Sequence, residues 1–74
     1  MITELDTVAL TRDVPEHSLT AGDVGTVVHL YPGGANCEVE FMTLQGKTIA
    51  VVTLPTGDLR LVGQKEIAHA REFA

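Results

Sequence analysis

The chain has 74 residues, a formal net charge of −5, one cysteine, one tyrosine, two phenylalanines and no tryptophan. That length holds one small domain without a separate catalytic module, and folding takes only roughly 60% of the unfolded surface out of water. The lone Cys37 excludes an internally disulfide-stapled scaffold. Ten acidic against five basic residues argue against an electrostatic nucleic-acid binder, and 45% hydrophobic content argues against disorder.

The N-terminus, Met1 to Asp6, is acidic and lacks the basic-then-apolar pattern of an export signal. The longest apolar run, Ile49 to Val52, is far below the ~20 residues that cross a bilayer. A soluble, cytoplasmic protein without a membrane partner is expected.

Leu5 to Thr11 reads as a half-buried first strand with a frayed beginning, Val8 and Leu10 lying on one parity. Arg12 to Asp23 is a long loop: Pro15 biases Val14 towards extended backbone and removes a ladder donor, and Leu19 is the apolar anchor. Val24 to Tyr31, rich in β-branched residues, is a second strand, with His29 expected to be partly buried. Pro32-Gly33-Gly34-Ala35-Asn36 is a turn. Cys37 to Thr43 is the clearest strand, for Cys37, Val39 and Phe41 alternate with Glu38, Glu40 and Met42. After Gln45-Gly46, a fourth strand runs from Lys47 to Leu54. Its consecutive Ile49, Ala50, Val51 and Val52 imply cover on both faces or strong curvature. Pro55-Thr56-Gly57 turns into a fifth strand, Asp58 to Val62. Residues 63–74 form a tail in which the eleven from Gln64 to Ala74 are rich in good helix formers, with Ile67, Ala70 and Ala74 on one helical face. It is expected to make a short helix docked on the body or on a partner.

Five short strands with tight later turns give an all-β fold, a small five-stranded SH3-like barrel over residues 1–62. An open antiparallel sheet capped by the tail helix is the alternative. Gly22-Asp23-Val24-Gly25-Thr26-Val27-Val28 fits such a barrel, with Gly22 at positive φ at the loop's end and Gly25 admitting close backbone approach or a bulge where the strand bends. This segment resembles the second-strand entry of KOW-type ribosomal and transcription-factor barrels and of the nitrile hydratase β-subunit barrel. Taken with Leu5 to Leu10, Asp13-Val14-Pro15, Leu19, Val39-Glu40-Phe41 and Thr48 to Leu54, the chain looks like a family of small bacterial proteins of unknown function with a predicted SH3-like barrel. The resemblance covers roughly residues 4 to 62. It implies a fold, and no catalytic or binding residues to carry over.

The chemistry-bearing residues do not assemble by spacing. His17, His29 and His69 fall on three separate elements, and no CxxC, HxxxH or HExxH pattern is present, so no metal or other cofactor is expected. Cys37 shares the core parity of Val39 and Phe41, and a neighbouring acid raises a thiol pKa, so it reads as a core residue and not a nucleophile. Glu38 and Glu40 share one strand face, roughly 7 Å apart by strand rise. A solvated acidic face that attracts a basic partner suits them better than paired-carboxylate catalysis. Gly22 and Gly25 lack the Lys-Ser/Thr of a phosphate loop.

Asp13, Glu16, Tyr31, Glu38 and Glu40 are therefore the candidate partner-binding residues, over a structural set of Gly22, Gly25, Val27, Val39 and Phe41. The expected function is a non-catalytic protein-interaction or accessory module. A KOW-like nucleic-acid module is the alternative, opposed by the five scattered cations and by Tyr31 as the one stacking platform. A small hydrolase using Glu38 and Glu40 or His29 ranks third. Proline-rich-peptide binding is unsupported, because such ligands dock on aromatic-lined grooves. A homodimer is also expected, through Met42 and Leu44 or through the tail around Ile67 and Phe73.

Overall fold

Strict alternation makes one strand the spine of the molecule: Cys37, Val39 and Phe41 are buried, while Glu38, Glu40 and Met42 face outward. In the structure, a computed structural model that describes residues 1–73, this is β3, Asn36–Met42. Its companions are β1 (Thr7–Leu10), β2 (Val24–Leu30), β4 (Thr48–Pro55) and β5 (Leu59–Leu61). They form one antiparallel sheet in the order β4-β3-β2-β1-β5. The chain is thus all-β, with five strands as the sequence implies.

One core cluster draws Val8 and Leu10 from β1, Val27 from β2, Cys37, Val39 and Phe41 from β3, Val52 and Leu54 from β4, and Leu59 from β5. Val14 and Leu19, from the loop after β1, join the same cluster, and no second sheet or α-helix covers it among the described residues, so the sheet buries these side chains by curling around its own inner face. The end strands β4 and β5 are joined by a 3-10 turn, Thr56–Asp58, and no ladder pairs them among the described residues. The beginning of the first strand is frayed, as the sequence implies: Leu5 lies at φ 73 and is exposed, and regular pairing begins at Thr7. The last begins only at Leu59, because Asp58 completes the 3-10 turn.

Two bulges correct the sequence pattern. In β2 the register moves from Val27↔Val39 to His29↔Glu38, leaving Val28 as the extra residue. An extra residue shifts the in–out phase of everything after it. His29, expected to be partly buried, therefore stands half-exposed, and Leu30 packs against the core instead. In β4 the register moves from Phe41↔Ala50 to Met42↔Thr48, so Ile49 is the extra residue. The apolar run from Ile49 to Val52 reflects this phase shift and not cover on both faces: Val52 is buried and Val51 is 53% exposed.

The 11–23 loop is fastened by a pair, not by Leu19 alone. Val14 and Leu19 bridge each other and are both buried, around a 3-10 turn at Pro15–His17. Gly22 then turns the chain at φ +93, its N–H donating to Leu10 O at 2.8 Å.

The tail is not helical: among the described residues there is no α-helix, and Ala74, assigned to that helical face, lies outside them. Instead the tail returns across the body on two arginine clamps. Arg60 grips Glu66 through two bonds of 2.7 and 2.8 Å, and Arg71 grips Asp23 through bonds of 2.8 and 2.5 Å while also donating to Ser18 O at 3.0 Å. The Arg60 guanidinium, helped by the Gly63 N–H, holds the Glu66 carboxyl down at about 2. Residues five apart on an α-helix point roughly 140° away from each other. A helical tail could not place both Glu66 and Arg71 against the body, and eleven residues are too few to form a stable helix without such contacts.

Candidate interaction surface

The outward side chains of β2, β3 and β4 form two cross-strand rows. The register aligns Thr26 with Glu40 and Val51, and His29 with Glu38 and Thr53. Glu38 lies at the centre. It accepts a hydrogen bond from the Tyr31 hydroxyl at 2.8 Å and another from the Thr53 hydroxyl. Tyr31 reaches it because the β2–β3 hairpin closes tightly: the Tyr31 N–H donates to Asn36 O at 3.1 Å, and Gly33 and Gly34 take up the positive φ of the turn. The His29 ring meets Tyr31 edge to face at 4.6 Å, and its Nδ1 lies 3.4 Å from a Glu4 carboxylate oxygen. Glu40 accepts from the Thr48 hydroxyl at 2.6 Å.

The hydroxyls of Thr53 and then Tyr31 lower the Glu38 pKa below the usual carboxylate range, since both donate to the ionised form. In return, Glu38 raises the Tyr31 phenol above its ordinary value. Tyr31 is the sole tyrosine and tryptophan is absent, so a near-ultraviolet titration reads this phenol directly. Glu38→Gln is expected to lower its pKa towards that of free tyrosine. An unchanged titration midpoint would disprove the link.

Among the described residues, arginine or lysine ion pairs join Arg12 to Asp58, Arg60 to Glu66 and Arg71 to Asp23, and none reaches Glu4, Glu38 or Glu40. Exposed apolar groups lie among these carboxylates: Val51 is opposite Glu40, and Met42 ends β3.

The structure divides the five partner-binding candidates. Tyr31, Glu38 and Glu40 share this face, with Tyr31 bonded directly to Glu38. Asp13 and Glu16 belong to the 11–23 loop. Asp13 braces that loop by accepting the Ala21 N–H at 2.8 Å, and Glu16 is exposed on the 3-10 turn. Thr53, Thr48 and Glu4 complete the face without any sequence motif for a role there, and His29, a candidate from the sequence only for the hydrolase reading, joins them. The parity of β4 and its pairing with β3 would have found the threonines. The N-terminal approach of Glu4 leaves no local signal.

Val27, Val39 and Phe41 underlie the face as buried core, and Gly25 lets β2 approach β3. Cys37 is fully buried; burial, then the neighbouring Glu38 charge, pushes its thiol pKa up. Elsewhere, a cleft of about 420 Å³ opens beside the tail, bringing Met42, Leu44 and Phe73 around one space with Leu19 and Val24. Among the described residues no three His, Cys, Asp or Glu side chains are grouped to hold a metal ion. None of their helices is long and apolar enough to cross a membrane.

No curated protein and no solved structure matches this chain. One family does: its model spans β1 to β5 with their connections and stops where the clamped tail begins. The match runs over residues 4–61, and the chain belongs to that family, Domain of unknown function (DUF4926).

Proposed function

We propose that this domain is a non-catalytic interaction module whose β2–β3–β4 outer face binds a basic, partly apolar segment of a partner protein. The observation that carries this reading is the environment of Glu38. Neutral hydroxyls of Tyr31 and Thr53 orient its carboxylate without cancelling its charge. A fixed, ionised acceptor costs little to reorganise on binding, and a charge-assisted hydrogen bond contributes about 1.5–3 kcal/mol. Glu40 and Glu4 add charge beside it, and Val51 and Met42 supply apolar contact. Net charge of −5 steers cationic partners towards the domain. A nucleic-acid role draws no support from the cations, because Arg12, Arg60 and Arg71 are already engaged by carboxylates.

Fluorescence anisotropy with a labelled peptide of alternating lysine and leucine tests the reading. Saturable binding is expected, about tenfold weaker in the Glu38→Gln/Glu40→Gln variant, equivalent to about 1.4 kcal/mol. Added salt should weaken it further. Glu16→Gln should leave it unchanged. Absent binding, or equal affinity in the double variant and the parent, would overturn the proposal.

A further inference from the structure

The sheet ends at β4, whose outer edge pairs with no other strand among the described residues. Thr48–Pro55 forms its ladder with β3 alone. The phase of that ladder follows from the Thr56 N–H, which donates to Ala35 O at 3.0 Å across the strand end. Hydrogen-bonded pairs recur at every second position of an antiparallel ladder. Ala50, Val52 and Leu54 therefore spend their N–H and C=O groups on β3, and Val51 and Thr53 direct theirs to the open side. Neither Val51 nor Thr53 gains a backbone partner from a turn or loop among the described residues. Both side chains also lie on the exposed face.

Natural edge strands are blunted by charge, by proline within the strand, by shortness or by cover. This one has eight residues, no charged side chain, and its proline only at the last position. Its Ile49 bulge lies at one end, leaving Ala50 to Pro55 regular. The backbone groups on such an edge specify another extended strand as their partner.

We propose that β4 pairs with β4 of a second copy, antiparallel about a two-fold axis through Val52, joining two sheets into one ten-stranded sheet. The register follows from the two residues with open backbone groups. Placing Val51 opposite Thr53 of the other copy satisfies both residues of each strand reciprocally through four hydrogen bonds. An axis through Val51 would instead pair Thr53 with the bulged Ile49. The axis at Val52 also sets β-branched Val51 against β-branched Thr53 on the outer face, a stabilising cross-strand pair, and small Ala50 against Leu54 on the inner face. No charge within β4 opposes the contact.

The pairing stands independently of the basic-partner reading, and the two respond oppositely to salt. Each copy carries −5, so screening strengthens the dimer and weakens cationic-peptide binding.

Sedimentation equilibrium over a concentration series, with amide hydrogen exchange on the same samples, tests the pairing. The parent should dimerise, more tightly at higher salt, and the Val51 and Thr53 amides should gain at least tenfold protection with concentration. The Val52 amide, already bonded to β3, should show no comparable gain. Val51→Lys should weaken the dimer at least tenfold, and Thr53→Lys provides a second edge variant; both should keep the parent circular dichroism spectrum because these side chains are exposed. A monomer at every concentration would overturn the proposal. So would a dimer that survives both edge variants but is lost in Leu44→Ser, which would assign the contact to the apolar cleft.

Discussion

Phe41→Ala is expected to remove about 4 kcal/mol of unfolding free energy, read from urea denaturation. Phe41 is 1% exposed and the largest of the fully buried side chains. Truncating a buried phenylalanine loses transfer free energy and leaves a cavity, costing about 3–5 kcal/mol. A chain of this length holds about 4–11 kcal/mol in total, so the variant should lie at or near the limit of folding. Met42→Ala, one residue along on the exposed face, should cost no more than about 0.5 kcal/mol. Equal losses at the two positions would contradict the in–out assignment of β3.

Gly25→Ala should lower the thermal midpoint by roughly 10 °C, although it adds one methyl group in a sequence of good strand formers. A Cβ at Gly25 would lie 2.6 Å from Val39 Cγ1, 2.9 Å from Glu40 O and 3.0 Å from Phe41 Cδ1. The first and third atoms belong to buried core side chains, and the second is backbone in the strand that faces Gly25. None can yield without moving β2 away from β3. Overpacking of this kind costs about 1–3 kcal/mol, and the tight backbone contact places Gly25 near the top of that range. Reduced freedom of the unfolded chain returns about 0.4–1 kcal/mol, which leaves a net loss of about 2 kcal/mol. A midpoint within 3 °C of the parent, roughly the shift of 0.5 kcal/mol, would mean that the strands separate more easily than their packing implies.

These two positions also explain how much of the fold was legible in the sequence. Alternation identified β3 and the burial of Cys37, Val39 and Phe41, because an unbroken strand has a period of two. Spacing of Gly22 and Gly25 points to a turn at the first and a close approach or a bulge at the second; the turn and the close approach are present, and the bulge of β2 lies at Val28 instead. Where a bulge inserts a residue, periodicity misleads: His29, expected to be partly buried, is half-exposed, and of the two readings of the run from Ile49 to Val52, cover on both faces or strong curvature, β4 lacks the cover. The tail reads as a helix because its composition favours one, but the local clamp of Arg60 on Glu66 and the distant one of Arg71 on Asp23 set its path.

The candidate surface was legible in the same partial way. Parity placed Glu38 and Glu40 on one face. That Tyr31 bends back onto Glu38, and that Thr53 joins it from β4, depends on hairpin closure and register, which single-strand patterns do not encode. Asp13 and Glu16 share the acidic character of the face but belong to the 11–23 loop, for composition reports charge without location.

The Glu38-centred face is the proposed meeting place of this domain and its partner. Backbone amide shift mapping by NMR during titration with the lysine–leucine peptide tests it most directly. Perturbations are expected to concentrate at residues 26–31, 38–42 and 48–53, and to need about tenfold more peptide in Glu38→Gln/Glu40→Gln. Perturbations centred on the Asp13–Glu16 loop or on the 64–73 tail, or none at saturating peptide, would contradict it.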